Sequence, residues 1–317
     1  MSTRAAPPAH QIPGVYHRRV GEITLTALSD GYLDSPLDML RNITVEESAR
    51  LLHEAFRPEL PGIQGGGLPV GGLPVGGRRT SVNCYAIHSA GRLALIETGS
   101  GNYLQRTAGQ LPRNLAAAGI DPASIERVIL THMHPDHSAG LTEMPSGRRN
   151  FPNAELVVHE NEPRHWHDDA AMARASERAK KLYFQAAREQ MAPYRDRLKT
   201  FSGALEVFPG VTAMPLHGHT PGHTGYMIAS GGERLLIWGD ICHVPEIQIP
   251  RPELTIEFDT DPEAAEATRR RVLEMVARER LPIAGMHVHF PGFAHVTRTN
   301  GSFTLVPEAW DQAFSRD

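Results

Sequence analysis

At 317 residues, 40% hydrophobic and 6% aromatic, the chain has an ordinary globular composition and enough length for a large core. Its formal charge of −4 excludes nucleic acid as a general partner, because no basic excess exists to hold phosphates. Two widely separated cysteines, Cys84 and Cys242, exclude a disulfide framework, and no apolar stretch is long enough to span a membrane.

Residues 1–20 carry Pro7, Pro8, His10 and Pro13, lack an apolar signal segment, and read as an irregular arm of a protein whose default location is cytoplasmic. Residues 21–317 read as a single domain. Glu22 to Leu28 alternates and predicts a first strand, ended by Ser29-Asp30-Gly31. Thr44-Val45-Glu46-Glu47 is a capping box that starts a helix to about Phe56. Between residues 65 and 77 the sequence repeats Gly-Gly-Leu-Pro-Val and ends on a third glycine pair. Glycine makes regular structure costly there, so the stretch reads as a surface loop or as a flap over an active site.

Val82 to Ile87 and Arg92 to Glu97 predict two strands joined at Ser89-Ala90-Gly91. A helix follows from about Tyr103 to Ala118, with Gly119 as its stop. Arg127-Val128-Ile129-Leu130 is a short apolar β-branched run, predicting a buried strand. Glu155 to His159 predicts another strand, and Met172 to Arg197 a long amphipathic helix that Pro193 could interrupt. Strands are then predicted at Val211 to Leu216, Tyr226 to Ala229, Leu235 to Trp238 and Leu281 to Met286. Pro262 to Arg280 is a helix with proline in its first turn. This order suggests a two-sheet core with helices outside.

Histidine is the compositional outlier, at 17 residues. Thr131-His132-Met133-His134-Pro135-Asp136-His137 puts four ligand-type residues within six positions, just past a strand. His132 and His134 are two apart, so in extended backbone both rings point to one side. A histidine-rich surface loop is the alternative, which a lone histidine would favour. Imidazole with carboxylate instead suits zinc, iron or manganese. Three later segments also place histidine or aspartate just past a strand: His217-Gly218-His219-Thr220-Pro221-Gly222-His223, Trp238-Gly239-Asp240 and Met286-His287-Val288-His289.

The T-H-x-H-x-D-H string resembles the signature of the metallo-β-lactamase superfamily. The order of the later segments is most similar to its methyl parathion hydrolase and lactonase branch. The resemblance implies an αββα sandwich: two mixed sheets with helices on the outer faces. It implies two divalent metal ions, zinc first, with manganese, iron or cobalt as alternatives. His132, His134 and His219 would hold one and Asp136, His137 and His287 the other, with Asp240 bridging. His289 is the fallback for His287, and His223 takes a supporting role. Asp136, Asp240 and His243 are the implied catalytic residues. The implied activity is a dinuclear hydrolase whose metal-bridging hydroxide cleaves a lactone, aryl ester or phosphotriester. An iron-dependent persulfide dioxygenase of the same fold and a β-lactam hydrolase are the alternatives.

Two departures stand out. Glu97-Thr98-Gly99 replaces the usual Asp-Thr-Gly, and His243 stands where acyl-homoserine lactonases carry a tyrosine. Among the aromatic residues of family-like substrate segments, Trp166, Phe184 and Phe293 are the expected pocket wall, with Tyr183 alongside. The expected partner is a small neutral ester-like substrate, with no nucleic acid, no membrane and a homodimer as one arrangement.

Overall fold

Period-two burial builds the two main layers. In the strand Gly77–Ser89, Tyr85 and Ile87 pack to one side while Cys84 and Ala86 pack to the other, and all four are buried. A strand buried on both faces lies in a sheet covered on both sides. The computed structural model describes residues 8–9, 11–57, 60 and 77–312. Among these, one seven-stranded sheet runs in the order Val15–Val20, Ile23–Pro36, Gly77–Ser89, Arg92–Ile96, Arg127–Ile129, Glu155–His159 and Leu198–Phe201. Its first four strands are antiparallel and the rest pair in parallel. The second runs in the order Glu206–Phe208, Val211–Pro215, Thr224–Ser230, Glu233–Ile237, Ile283–Ala284, Phe293–Thr299 and Ser302–Pro307.

The inner faces of both sheets share one core, in which Leu25, Ile87 and Ile96 meet Val211, Ile228 and Ile237. The outer face of the first sheet packs Leu95, Val128 and Leu156 against Leu111, Leu115 and Met191 from helices. The outer face of the second packs Leu236, Trp238 and Val296 against Val272, Leu273 and Val276 of the helix Pro262–Glu279. This is the αββα sandwich with two mixed sheets. No helix among the described residues is long and apolar enough to cross a membrane.

Several elements differ from the sequence expectation. The arm ends earlier than residue 20, because Val15–Val20 pairs along the strand Ile23–Pro36 as the sheet's edge. The helix expected from Tyr103 is only Leu111–Ala117. Upstream of it, the loop wraps the buried carboxylate of Asp30, which accepts the N–H groups of Ser100 at 2.8 Å, Gly109 at 3.0 Å and Leu111 at 2.9 Å. The expected 172–197 helix is broken. Asp169–Arg174 ends at Ala175, Ser176 caps a new helix, and a π-helical turn, Lys180–Gln185, leads into Ala186–Met191. Pro193 then falls in the 3-10 segment Ala192–Arg197. The C-terminal hairpin closes on Asn300-Gly301, both at positive φ, the turn chemistry of a tight hairpin. The Gly-Gly-Leu-Pro-Val repeat lies outside the described residues.

Candidate metal centre

Each ligand-type segment leaves the end of a strand on the same edge of the sandwich. After Arg127–Ile129 the chain reaches His134 in extended backbone, and Pro135 begins a single helical turn, Pro135–Ser138. Proline fits this first helical position because its missing N–H has no partner to lose. The turn brings Asp136 and His137 back toward His132 and His134.

The seven expected ligands converge. His132 Nε2 lies 3.0 Å from His134 Nδ1, which lies 2.9 Å from His219 Nε2. Asp240 Oδ2 is the hub. It lies 3.0 Å from His243 Nε2, 3.2 Å from His137 Nε2, 3.3 Å from His287 Nε2, 3.4 Å from His219 Nε2 and 3.7 Å from His132 Nε2. Asp136 Oδ2 lies 3.4 Å from His287 Nε2 and 3.5 Å from His137 Nε2. His289 points away and pairs with Glu246 at 2.5 Å, so the geometry brings His287 and not His289 into the cluster.

The donor set fits a pair of divalent cations. Among the described residues, both ring nitrogens of His137 and Oδ1 of Asp240 are buried without a hydrogen-bond partner. Buried polar atoms are otherwise nearly always paired, and nitrogen and oxygen donors of this kind suit zinc, iron or manganese. The electrostatics agree. Burial opposes a charge on His137, yet the carboxylates of Asp240, Asp136 and Glu97 outweigh it and hold its pKa well above the imidazole range. Burial likewise opposes charge on Asp136 and Asp240, but the surrounding histidines, His137 foremost, hold both well below the carboxylate range. Burial, reinforced by neighbouring imidazoles, pushes His132 and His134 well down. The cluster thus takes up protons to match its carboxylates, and cations that bind there displace them.

A second layer fixes the rings. His219 Nδ1 is 2.8 Å from Asp259 Oδ1, and His287 Nδ1 is 2.8 Å from the Ser81 carbonyl. His223 bonds the Leu216 carbonyl through Nδ1 and accepts the Asp240 N–H through Nε2 at 2.9 Å, the supporting role expected for it. Gly239, at φ 61°, makes this possible, since a Cβ there would sit 2.3 Å from His223 Nε2. Glu97 reaches the site despite its extra methylene: Oε1 accepts the Thr131 N–H at 2.8 Å and Oε2 lies 3.3 Å from His137 Nδ1. It does so at φ 68°, a backbone conformation rare for a non-glycine residue.

Glu162 was not singled out from the sequence, yet it ties two of the ligand loops together. Its fully buried carboxylate accepts the Met133 N–H at 2.9 Å, the Trp166 Nε1–H at 2.8 Å, the Gly222 N–H at 2.9 Å and the Thr220 hydroxyl. Asp259 was missed as well. Both acids stand in loops or at a helix start with no local pattern.

A cavity of about 320 Å³ opens onto the hub, with His134, Asp136, Asp240, His243 and His287 in its lining. Its wall corrects the expected pocket. Trp166 is buried in the outer core and bonded to Glu162, and Phe184 packs beside it with ring centroids 5.0 Å apart. Phe293 lies in the core between the sheets, against Tyr85 and Tyr16. None of the three lines the cavity; Leu182, Tyr183 and Phe258 do. The π-helical turn sends Tyr183 toward the site, 4.9 Å from the His134 ring, and Phe184 into the core. Accordingly, Trp166→Ala is expected to destabilise the fold by ~3–5 kcal/mol, seen as a lower melting temperature. Tyr183→Ala should instead raise KM or lower kcat/KM at an unchanged melting temperature. The reverse pattern would return Trp166 to the pocket wall.

The profile of the metallo-beta-lactamase superfamily matches residues 77–287. No curated protein matches the chain. Among solved structures, hydrolase AbOPH of the beta lactamase superfamily is 29% identical with a TM-score of 0.84, over 96% of this chain and 100% of that one. AidC, a dizinc quorum-quenching lactonase solved with a product, is 24% identical with a TM-score of 0.84, over 95% of this chain and 99% of that one. With the profile spanning most of the sandwich and every ligand segment, the chain belongs to the metallo-beta-lactamase superfamily.

Proposed function

We propose that this chain is a dinuclear metal-dependent hydrolase that cleaves a lactone, an aryl ester or a phosphotriester. One observation carries the reading. Asp240 Oδ2 lies between two donor sets, within 3.4 Å of His219 on one side and 3.3 Å of His287 on the other. The set of His132, His134 and His219 would hold one cation, that of Asp136, His137 and His287 the other, and Asp240 both. Bound there, two divalent cations supply Lewis acidity toward a carbonyl or phosphoryl oxygen and a water made nucleophilic near neutral pH. The likeness to hydrolase AbOPH supports the class, and the AidC lactonase supports one of its substrates.

The chain's own residues do the rest. Neither cysteine can serve as nucleophile: Cys84 and Cys242 are buried in core clusters, and burial raises both thiols. Asp240 stands where the β-lactam hydrolases of this fold carry cysteine or serine, which favours esters and phosphoesters. Leu182, Tyr183 and Phe258 give the cavity an apolar side that suits an organic ester group and excludes water from it.

His243 borders the cavity with its ring stacked on His287, centroids 5.3 Å apart. Burial lowers its pKa to about 4, so the ring is neutral at pH 7 and available to donate an N–H to a leaving oxygen. A leaving alkoxide needs that help and a nitrophenolate needs little. His243→Ala should therefore slow aliphatic lactones ~10²-fold or more, the cost of losing one hydrogen-bond donor to a developing oxyanion, and nitrophenyl esters much less, with metal content unchanged. Equal effects on both classes would remove His243 from the mechanism. The reading as a whole is tested by metal analysis of the purified protein, beside a panel of lactones, aryl esters and phosphotriesters. Full activity in metal-free protein would overturn it.

A further inference from the structure

Among the described residues two arginines are deeply buried, and they differ. Arg269, 1% exposed, is well partnered: Nε and Nη1 donate to the carbonyls of Ile241, Pro252 and Leu254, and Nη2 lies 3.8 Å from the Asp259 carboxylate. Arg78, 5% exposed, is not. One of its nitrogens, Nη1, donates to the Thr80 hydroxyl and, at 3.3 Å, to the His243 carbonyl. Among the described residues its buried Nε has no hydrogen-bond partner. The acid whose field reaches it, Glu246, is itself engaged by Arg57 at 2.8 Å and His289 at 2.5 Å. Among the described residues no carboxylate pairs with Arg78. Burial lowers its pKa only to about 10, so the charge persists at neutral pH.

A buried charge without a counter-charge is costly. Arg78 bears that cost at a revealing place. It lines the cavity over the hub and also a second cavity of about 410 Å³, and His243 and His287 line both. The hub cavity thus has an apolar side, with Tyr183 against His134, and a cationic corner at His243 and His287. Arg178 and Lys181 line the same cavity, adding positive charge to its wall. A guanidinium offers a planar fork of donors whose natural complement is a carboxylate.

We propose that Arg78 is the carboxylate-binding residue of this active site, receiving a carboxylate oxygen of the substrate or of its product beside His243 and His287. This rests on the hydrolase reading and deepens it. A carboxylate can come from two sources. A substrate can carry one remote from the scissile bond, or hydrolysis of an uncharged ester can release one in place. The first would make the natural substrate anionic, unlike the neutral one expected from the sequence.

The test uses the metal-loaded enzyme, Arg78→Met and Arg78→Lys, with Arg78→Gln as a second neutral variant should the methionine fail to fold. Calorimetry with pentanoate and uncharged pentanamide reads carboxylate binding without turnover. The wild type should prefer pentanoate, and the neutral variants should lose ~10- to ~100-fold of that preference, with lysine keeping part of it. Kinetics then separate the sources. If the substrate supplies the carboxylate, the mono-4-nitrophenyl ester of glutarate should be favoured over 4-nitrophenyl pentanoate in the wild type and not in the neutral variants. If the product supplies it, only inhibition by pentanoate should weaken. Pentanoate affinity equal in wild type and neutral variants at equal metal content would overturn the proposal, as would a wild type with no preference over pentanamide. Absence of turnover by the metal-loaded enzyme with every lactone, aryl ester and phosphotriester of the panel would overturn the hydrolase reading, whichever way the calorimetry falls.

Discussion

Asp240→Asn should strip the centre of most of its metal and activity while leaving the fold in place. The substitution keeps the shape of the side chain but removes the charge at a point where five imidazole nitrogens lie within 3.7 Å. An amide nitrogen turned into that space would donate its N–H groups to the imidazole lone pairs that a cation needs, and could itself hold no cation. Supporting residues that merely orient a ligand already cost ~10–100-fold in metal affinity or activity. A carboxylate shared by both donor sets should cost more, with kcat/KM down by well over ~100-fold and bound metal falling from about two ions per chain to one or fewer. His219→Ala touches only one set directly, so it should lose one ion preferentially and still lose activity. Metal analysis beside circular dichroism of the same preparations checks both. Two ions and normal kinetics in the asparagine variant would remove Asp240 from the bridging role.

The second large effect is expected at Glu162, which touches no ligand ring. Each of its oxygens accepts two donors: Oε2 takes the Met133 N–H and the Trp166 indole, and Oε1 takes the Gly222 N–H and the Thr220 hydroxyl. Glu162→Gln keeps the volume but aims an NH₂ group at one donor pair. Thr220 can turn to accept from it; the backbone N–H of Gly222 cannot. One buried N–H is then orphaned, at about 1–3 kcal/mol. Glu162→Ala orphans all four donors and opens a cavity, so its loss should exceed ~3 kcal/mol. Met133 lies between His132 and His134, and Thr220 follows His219, so both loops of the first donor set would slacken. Metal affinity should fall with stability, and ~10–100-fold is the range for such a supporting group. A chelator titration alongside thermal melts checks this. A stability loss with unaltered metal affinity would mark Glu162 as a packing residue only.

The contrast between these two residues shows what was legible in the sequence. His132 to His137 and Asp240 are legible because the chemistry is compressed into short strings after apolar β-branched runs. The strands themselves are legible because Tyr85 and Ile87 alternate with Cys84 and Ala86 over two cores. Glu162 acts on Met133 and Gly222, 29 and 60 residues away, and such long-range bonds leave no local mark. The aromatic pocket failed for a related reason. Trp166, Tyr183 and Phe184 look alike in sequence: Trp166 is held in the core by its bond to Glu162, and the wide turn of a π-helix sends Tyr183 rather than Phe184 toward the site. The helix expected from Tyr103 failed because propensity ignored Asp30, whose carboxylate takes the backbone donors of that stretch from 70 residues and more upstream.

The division of the ligands between the two sheets has a consequence for how the protein is made. His132, His134, Asp136 and His137 follow strands of the first sheet, while His219, Asp240 and His287 follow strands of the second. A ribosome emits the chain N-terminus first, so the first four ligands emerge before the hub carboxylate that joins the two sets exists. An ion captured then would sit in a half-built set with positions open to the wrong metal or to oxidation. The finished site closes only when residue 287 and its short strand have docked beside Glu233–Ile237. On the dinuclear reading, the full donor set would exist only after the second sheet has docked, and ions held by residues of both sheets would tie the two halves of the sandwich together, so that their binding energy would become resistance to unfolding.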